Sequence, residues 1–242
     1  LPPLERFGLI WKSCSENRRA IMTDNIKPLH EQLIKKSNQL YDKRGQKYPF
    51  TSKAVCWDNP QTQYFRFHEI ARHLSMDEDR SVLDVGCGNA EFYQFLNFSG
   101  FKGQYRGYDI NQELLSQARK RYPGIVVEQV DILTQEVDEQ FDYVVVSGLF
   151  NLNFGQTETW VEQMLTELFK LCRKKLIFNA ISTHVNFQQE EMFYLDPARI
   201  LQFVLQNLSS QCVLEHGALP YNYVVAISKG NNWQSIPVES RP

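Results

Sequence analysis

Three carboxylates close short apolar runs and could serve one ligand: Asp84, Asp109 and Asp131. Asp84 is followed by Val85-Gly86-Cys87-Gly88. Glycines here let a ligand approach the backbone, and a helix starting just beyond would turn its positive end toward it. A dinucleotide fingerprint needs a third glycine at position 91, where Glu91 stands instead. Together Asp84 and Glu91 favour a ligand with a positive group over one with two phosphates. Asp109 follows Asp84 by 25 residues, a spacing at which an acid accepts hydrogen bonds from ribose hydroxyls. Asp131 stands beside Ile132, a pair suited to adenine: the carboxylate accepts from the exocyclic amine while Ile132 lies against the ring. The set describes an adenosine without phosphates but with a positive group. S-adenosylmethionine (SAM), positive at its amino group and at its sulfonium, is such a molecule.

The elements that must hold these acids alternate. Strand-like runs at 81–85, 104–110, 125–132, 141–148, 174–182, 212–217 and 221–228 are separated by helical stretches near 90–98, 111–121, 156–172 and 197–208. Such alternation predicts a mostly parallel sheet with helices on both faces. The last two runs are separated by only a few residues and should pair antiparallel. In an open α/β sheet ligands sit at the carboxyl ends of the strands, where the three acids fall. Ahead of the sheet, 24–41 reads as a helix with Asp24 as its cap, Pro28 in its first turn, and Ile26, Leu29, Leu33 and Leu40 near one face. A second helix spans 61–74, with Tyr64, Phe67, Ala71 and Leu74 at helical spacing. Residues 1 to about 22 read as irregular, with an apolar patch at Leu9, Ile10 and Trp11.

The ordered motifs "VLDVGCGNAEF", "YDI", "VDIL" and "FDYVVVSGLFN" resemble those of the class I SAM-dependent methyltransferases. The resemblance covers residues 60 to 228 and implies a Rossmann-like, seven-stranded α/β sheet of order 3-2-1-4-5-7-6 with strand 7 antiparallel. It assigns Asp84, Gly86 and Gly88 to the methionine end of SAM, Asp109 and Ile110 to the ribose, and Asp131 and Ile132 to the adenine. Ser147 and Gly148 fall where the fourth strand meets the sulfonium. More narrowly, "LYDKRG" and "AVCWDNPQTQYFRF" are similar to the N-terminal region of a set of small bacterial methyltransferases. That similarity places Tyr41, Trp57 and Arg66 over the cofactor, with Arg66 pairing the methionine carboxylate.

The acceptor side is less specific. The N-P-P-aromatic motif of methyltransferases acting on adenine or glutamine nitrogens is absent after the fourth strand. His184, in the loop after the fifth, is the candidate general base for an OH or NH acceptor. Asp196 should cap the helix begun by Pro197. Aromatic residues before the sheet and in 183–196 point to a lid over a small or carrier-tethered organic acceptor, with natural-product biosynthesis as the setting. The rival readings are a non-catalytic SAM-binding module and a methyltransferase acting on protein or RNA.

The remaining features exclude classes. A formal net charge of −2 lacks the basic excess of a nucleic-acid binder. The five cysteines are scattered without a C-x-x-C, so no metal site or disulfide framework is expected and a reducing cytoplasm is the natural setting. No apolar run approaches the roughly 20 residues of a membrane span. The start, "LPPLERFGLIWKS", is too short and too polar for a signal peptide. It opens on Leu1, which suits an excised domain with neighbours as well as a free enzyme. The expected organisation is an irregular extension at 1–23, a helical lid at 24–76, the SAM-binding core at 77–230 and a tail at 231–242.

Overall fold

Seven runs rich in β-branched and aromatic residues pair into one sheet: β1 (Ser81–Val85), β2 (Gln104–Asp109), β3 (Val127–Gln129), β4 (Phe141–Val146), β5 (Cys172–Ile181), β6 (Cys212–His216) and β7 (Asn222–Ser228). Their order is β3-β2-β1-β4-β5-β7-β6, as expected. The first five pair in parallel, and β7 runs antiparallel to both β5 and β6. Every residue of β1 and β4 is buried, which is why their sequences are near-continuous apolar runs. The order reverses between β1 and β4, and Asp84 and Asp109 lie near the carboxyl ends of the neighbouring strands β1 and β2.

The computed structural model describes residues 5–230, with side chains from Ile26 onward. The expected tail at 231–242 and the side chains of Leu9, Ile10 and Trp11 lie outside the described residues. The helices are α1 (Glu5–Lys47), α2 (Pro60–Ala71), α3 (Glu91–Phe98), α4 (Gln112–Arg121), α5 (Glu158–Leu171) and α6 (Pro197–Asn207). Asn59, Asn111, Thr157 and Asp196 cap α2, α4, α5 and α6 through side-chain acceptors. At α3 the cap position holds Ala90 in the left-handed region (φ 63°) with no side-chain bond, so the first N–H groups of α3 have no side-chain capping acceptor.

The N-terminal region departs from expectation. Residues 5–47 form one helix of 43 residues, about 65 Å long at ~1.5 Å per residue. Asp24 is not a cap, and Pro28 lies inside the helix, where it removes one intrahelical bond. The start signal at 24–28 was misleading because only Gly8 and Pro28 oppose a helix between Glu5 and Lys47 short of Gly45. Ile26 and Leu33 of α1 are buried in the core on the α5 side of the sheet. On the other face Phe67 of α2 packs with Phe92 and Phe95 of α3. Between α1 and α2 lies a short 3₁₀ turn, Ser52–Val55. β3 has three residues where eight were expected, so Asp131 and Ile132 stand in the turn beyond it. No described helix is long and apolar enough to cross a membrane.

Candidate active site

A cleft of about 1180 Å³, its open mouth included, lies over the carboxyl ends of β1, β2 and β4. One face of α1 forms a wall of it: His30, Leu33, Ile34, Ser37 and Tyr41 recur at helical spacing and all line the space. Polar contacts pin that wall down. Asn111 Nδ2 donates to Asn38 Oδ1 (3.1 Å) and Asp42 Oδ1 (2.8 Å), and Gln117 Nε2 donates to the Gly45 carbonyl (3.0 Å).

Of the residues expected at a cofactor, Tyr41, Trp57, Asp84, Gly86, Gly88, Asp109, Ile110, Asp131, Ile132 and Ser147 all line this one cleft. Asp84 is buried and accepts from the Tyr105 hydroxyl (2.8 Å). Burial pushes its pKa up to about 7; the Tyr105 bond opposes this and the neighbouring Asp109 adds to it. Asp109 accepts the Gly88 N–H (2.7 Å) on one oxygen and the Asn111 N–H (2.8 Å) on the other. Burial raises its pKa despite those bonds. The glycine loop tolerates no side chain at 88: φ is +54°, and a Cβ would stand 2.7 Å from Val55 Cγ1. Ser147 Oγ accepts from Asn179 Nδ2 (3.1 Å), and Asn179 Oδ1 accepts the Gly148 N–H (3.0 Å), so a buried amide on β5 shapes the end of β4.

Asp131 is bound by a residue that sequence reasoning missed. His30 Nε2 lies 2.8 and 2.9 Å from its two oxygens, and the Leu133 N–H donates to one of them (3.1 Å). Burial alone would raise the Asp131 pKa; the His30 and backbone bonds outweigh it and hold the carboxyl below its usual value. The indole N–H of Trp160 donates to His30 Nδ1 (3.2 Å). Indole can only donate, so Nδ1 carries the lone pair and Nε2 the proton. Both ring nitrogens are thus used. The one signal for His30 was its place on the same helical stripe as Ile34 and Tyr41.

Three expectations meet different surroundings. Arg66 is not in the cleft. Its Nε and Nη2 donate to Asn222 Oδ1 (3.2 and 2.9 Å), Nη1 donates to the Thr62 carbonyl (3.2 Å), and the guanidinium carbon lies 4.4 Å over the Trp57 ring. Burial lowers its pKa to about 10. It therefore backs Trp57, because Asn222 at the start of β7 captures its fork. His184 is exposed and is not among the residues lining the cleft; its ring lies 6.3 Å from that of His216. Glu91 lines the cleft as expected, but Arg121 pairs with it, so it does not add a free negative charge.

Residues 76–236 match the family model described as "Methyltransferase domain". A Mycobacterium tuberculosis protein named as a methyltransferase, Rv1506c, is 26% identical over 157 residues, which are 62% of this chain and 94% of that protein. The solved structure of DhpI with S-adenosylhomocysteine (SAH) superposes with a TM-score of 0.62 at 14% identity, over 84% of this chain and 98% of that one. The N-methyltransferase NodS of Bradyrhizobium japonicum, also with SAH, gives 0.58 at 15% identity, over 79% and 99%. At these identities the two structures speak for the fold.

Proposed function

We propose, from the premise that this chain belongs to the methyltransferase-domain family and is a class I SAM-dependent methyltransferase, that its acceptor is a small or carrier-tethered organic molecule of natural-product biosynthesis, methylated in the cytoplasm. The observation that carries this reading is the cleft beside α1. It is walled by Tyr41, Trp57, Phe154 and Trp160, which suits a compact organic group.

The cleft fits the cofactor by charge. Asp84, Asp109 and Asp131 line it, and no Lys or Arg is among the described lining residues. A ligand with an ammonium and a sulfonium suits that set; a pyrophosphate does not. In this reading Asp84, Gly86 and Gly88 hold the amino-acid end, and the uncapped first turn of α3 faces its carboxylate in place of Arg66. Asp109 and Ile110 hold the ribose. Asp131, steadied by His30, and Ile132 hold the adenine. Tyr41 and Trp57 cover the site, and Ser147 stands at the sulfonium.

When bound, SAM supplies an electrophilic methyl group on a positive sulfur. The chain's own residues then have to align an acceptor in line with the departing sulfur and exclude water. Alignment of this kind is worth roughly 7–11 kcal/mol of barrier. His30 cannot act as base while Trp160 and Asp131 hold its two nitrogens, and His184 does not line the cleft. We therefore assign rate enhancement to positioning. Calorimetry tests the reading: SAM and SAH should bind in the micromolar range and NAD should not. NAD binding without a response to either adenosyl ligand would sink it.

A further inference from the structure

Trp160 of α5, His30 of α1 and Asp131 in the turn beyond β3 form one chain of hydrogen bonds that ends in the cleft. All three line the cleft. Trp160 and His30 are buried, whereas 23% of the Asp131 side chain is exposed. The chain has a direction. An indole nitrogen can only donate, so Trp160 obliges His30 Nδ1 to accept (3.2 Å). His30 Nε2 then carries the proton and donates across both Asp131 oxygens (2.8 and 2.9 Å). Turning the ring over would set carbons against both partners. A second proton, on Nδ1, would face the indole N–H.

Asp131 is thereby held as an ionised acceptor in one orientation. A carboxylate has about four acceptor sites. His30 and the Leu133 N–H (3.1 Å) do not fill them, and the part left exposed belongs to a lining residue. A ligand group that meets it has to donate. A carboxyl released from His30 can turn or take a proton, and a protonated carboxyl can donate to a carbonyl.

We propose that His30, its tautomer fixed by Trp160, is a positioning residue that keeps Asp131 an acceptor only, so that the cleft selects a 6-amino purine over a 6-oxo purine. The proposal rests on the methyltransferase reading, with the adenine of SAM at Asp131. Adenine offers the N–H of its exocyclic amine at that position. A 6-oxo purine offers a carbonyl oxygen to a carboxylate that has no proton to share, and its nearest donor, N1–H, is one ring position away. Selectivity for the base is thus set by two residues, on α1 and α5, that act through Asp131.

The test compares SAH with its 6-oxo counterpart, S-inosylhomocysteine, by calorimetry on the full chain. The parent should bind SAH about 10- to 100-fold more tightly, the worth of a hydrogen bond to a charged group. His30→Leu and Trp160→Phe should each shrink that ratio about two- to tenfold, the worth of an uncharged one. His30→Gln, which carries a donor and an acceptor on one carbon, should hold the ratio within about twofold of the parent. A His30 that served stability alone would weaken both ligands alike and leave the ratio unchanged. Nitrogen-15 spectra of the SAH-saturated parent should show the His30 proton on Nε2 and a bare Nδ1, a readout that needs no variant to fold. The proposal is overturned if the parent binds the two ligands equally, if His30→Leu keeps the parent ratio, or if the spectra place a proton on Nδ1. An Asp131→Asn protein with the parent ratio would put the base elsewhere, which removes the proposal and leaves the methyltransferase reading standing. Failure of the parent to bind SAH at all would remove that reading, and the proposal with it.

Discussion

Asp84 should make cofactor binding pH-dependent, with a defined sign. In the folded apoprotein its pKa is raised from 3.8 to about 7, chiefly by burial. The folded state therefore holds a proton that the unfolded state has released between those values, and this group's contribution to stability falls as pH rises through 7. A cationic ligand wants the opposite, an ionised Asp84. If Asp84 receives the SAM ammonium, each unit of pH below 7 should weaken binding about tenfold, or ~1.4 kcal/mol. Between pH 8 and pH 5 the affinity should drop on the order of 100-fold, while the same group makes the apoprotein more stable by roughly 3 kcal/mol. The two trends oppose each other, so an overall loss of structure in acid cannot imitate them.

Isothermal calorimetry with SAH at pH 5, 6, 7 and 8, in two buffers of different ionisation enthalpy, reads both affinity and protons released. About one proton should leave per SAH bound near pH 6, and almost none at pH 8. In Asp84→Asn the affinity should be low and nearly flat with pH. An affinity that does not change between pH 5 and 8, or a proton taken up on binding, would refute the placement of Asp84 at the amino group.

Asp109→Ala should weaken SAH binding by roughly 1.5–3 kcal/mol, the range for hydrogen bonds to a charged group. It should also lower the melting temperature, because the Gly88 and Asn111 N–H groups lose their acceptor; unchanged SAH affinity would remove Asp109 from the ribose. Arg66→Ala should cost about 1–2 kcal/mol of stability through lost contact with Trp57 and Asn222 and change SAH affinity far less, as read by thermal melts and calorimetry. The reverse pattern would restore Arg66 as a partner of the methionine carboxylate. SAH should slow amide exchange in α1 at 30–41 and in 41–66, as for a wall that closes on its ligand, whereas equal protection with and without SAH would make this region a fixed part of the fold.

The sheet was legible because each strand carries its own signal. β1 and β4 are apolar throughout, β7 follows β6 across a short turn, and the acids at strand ends need no partner to be noticed. Helix starts were legible where an acceptor side chain caps them, at Asn111 and Asp196. They failed at α1, where Asp24 and Pro28 imitate a start inside a continuous helix. What stayed hidden was pairing across the chain. His30 and Asp131 are 101 residues apart, and nothing local in either segment announces the bond. Arg66 and Asn222, 156 residues apart, show the cost of that blindness: the charge was read correctly and the partner was not. A cation seen alone in sequence invites the nearest anionic ligand as its partner, but in the fold the guanidinium is taken by an amide and a ring.

The acidic lining bears directly on what the cleft will accept. Arg66, turned away, leaves Asp84, Asp109 and Asp131 without an opposing Lys or Arg among the described lining residues. Had it pointed inward, as expected, it would have neutralised one carboxylate of a ligand and made the cleft tolerant of acids. The bond between Arg66 and Asn222 should therefore act on selectivity although neither residue lines the cleft. Asn222→Ala frees the fork, since the Thr62 carbonyl holds only Nη1. In that variant benzoate should gain affinity relative to benzamide in the SAH-loaded protein. An unchanged ratio would show that the guanidinium stays on Trp57 by stacking alone, and that the charge of the cleft is set by its own acids.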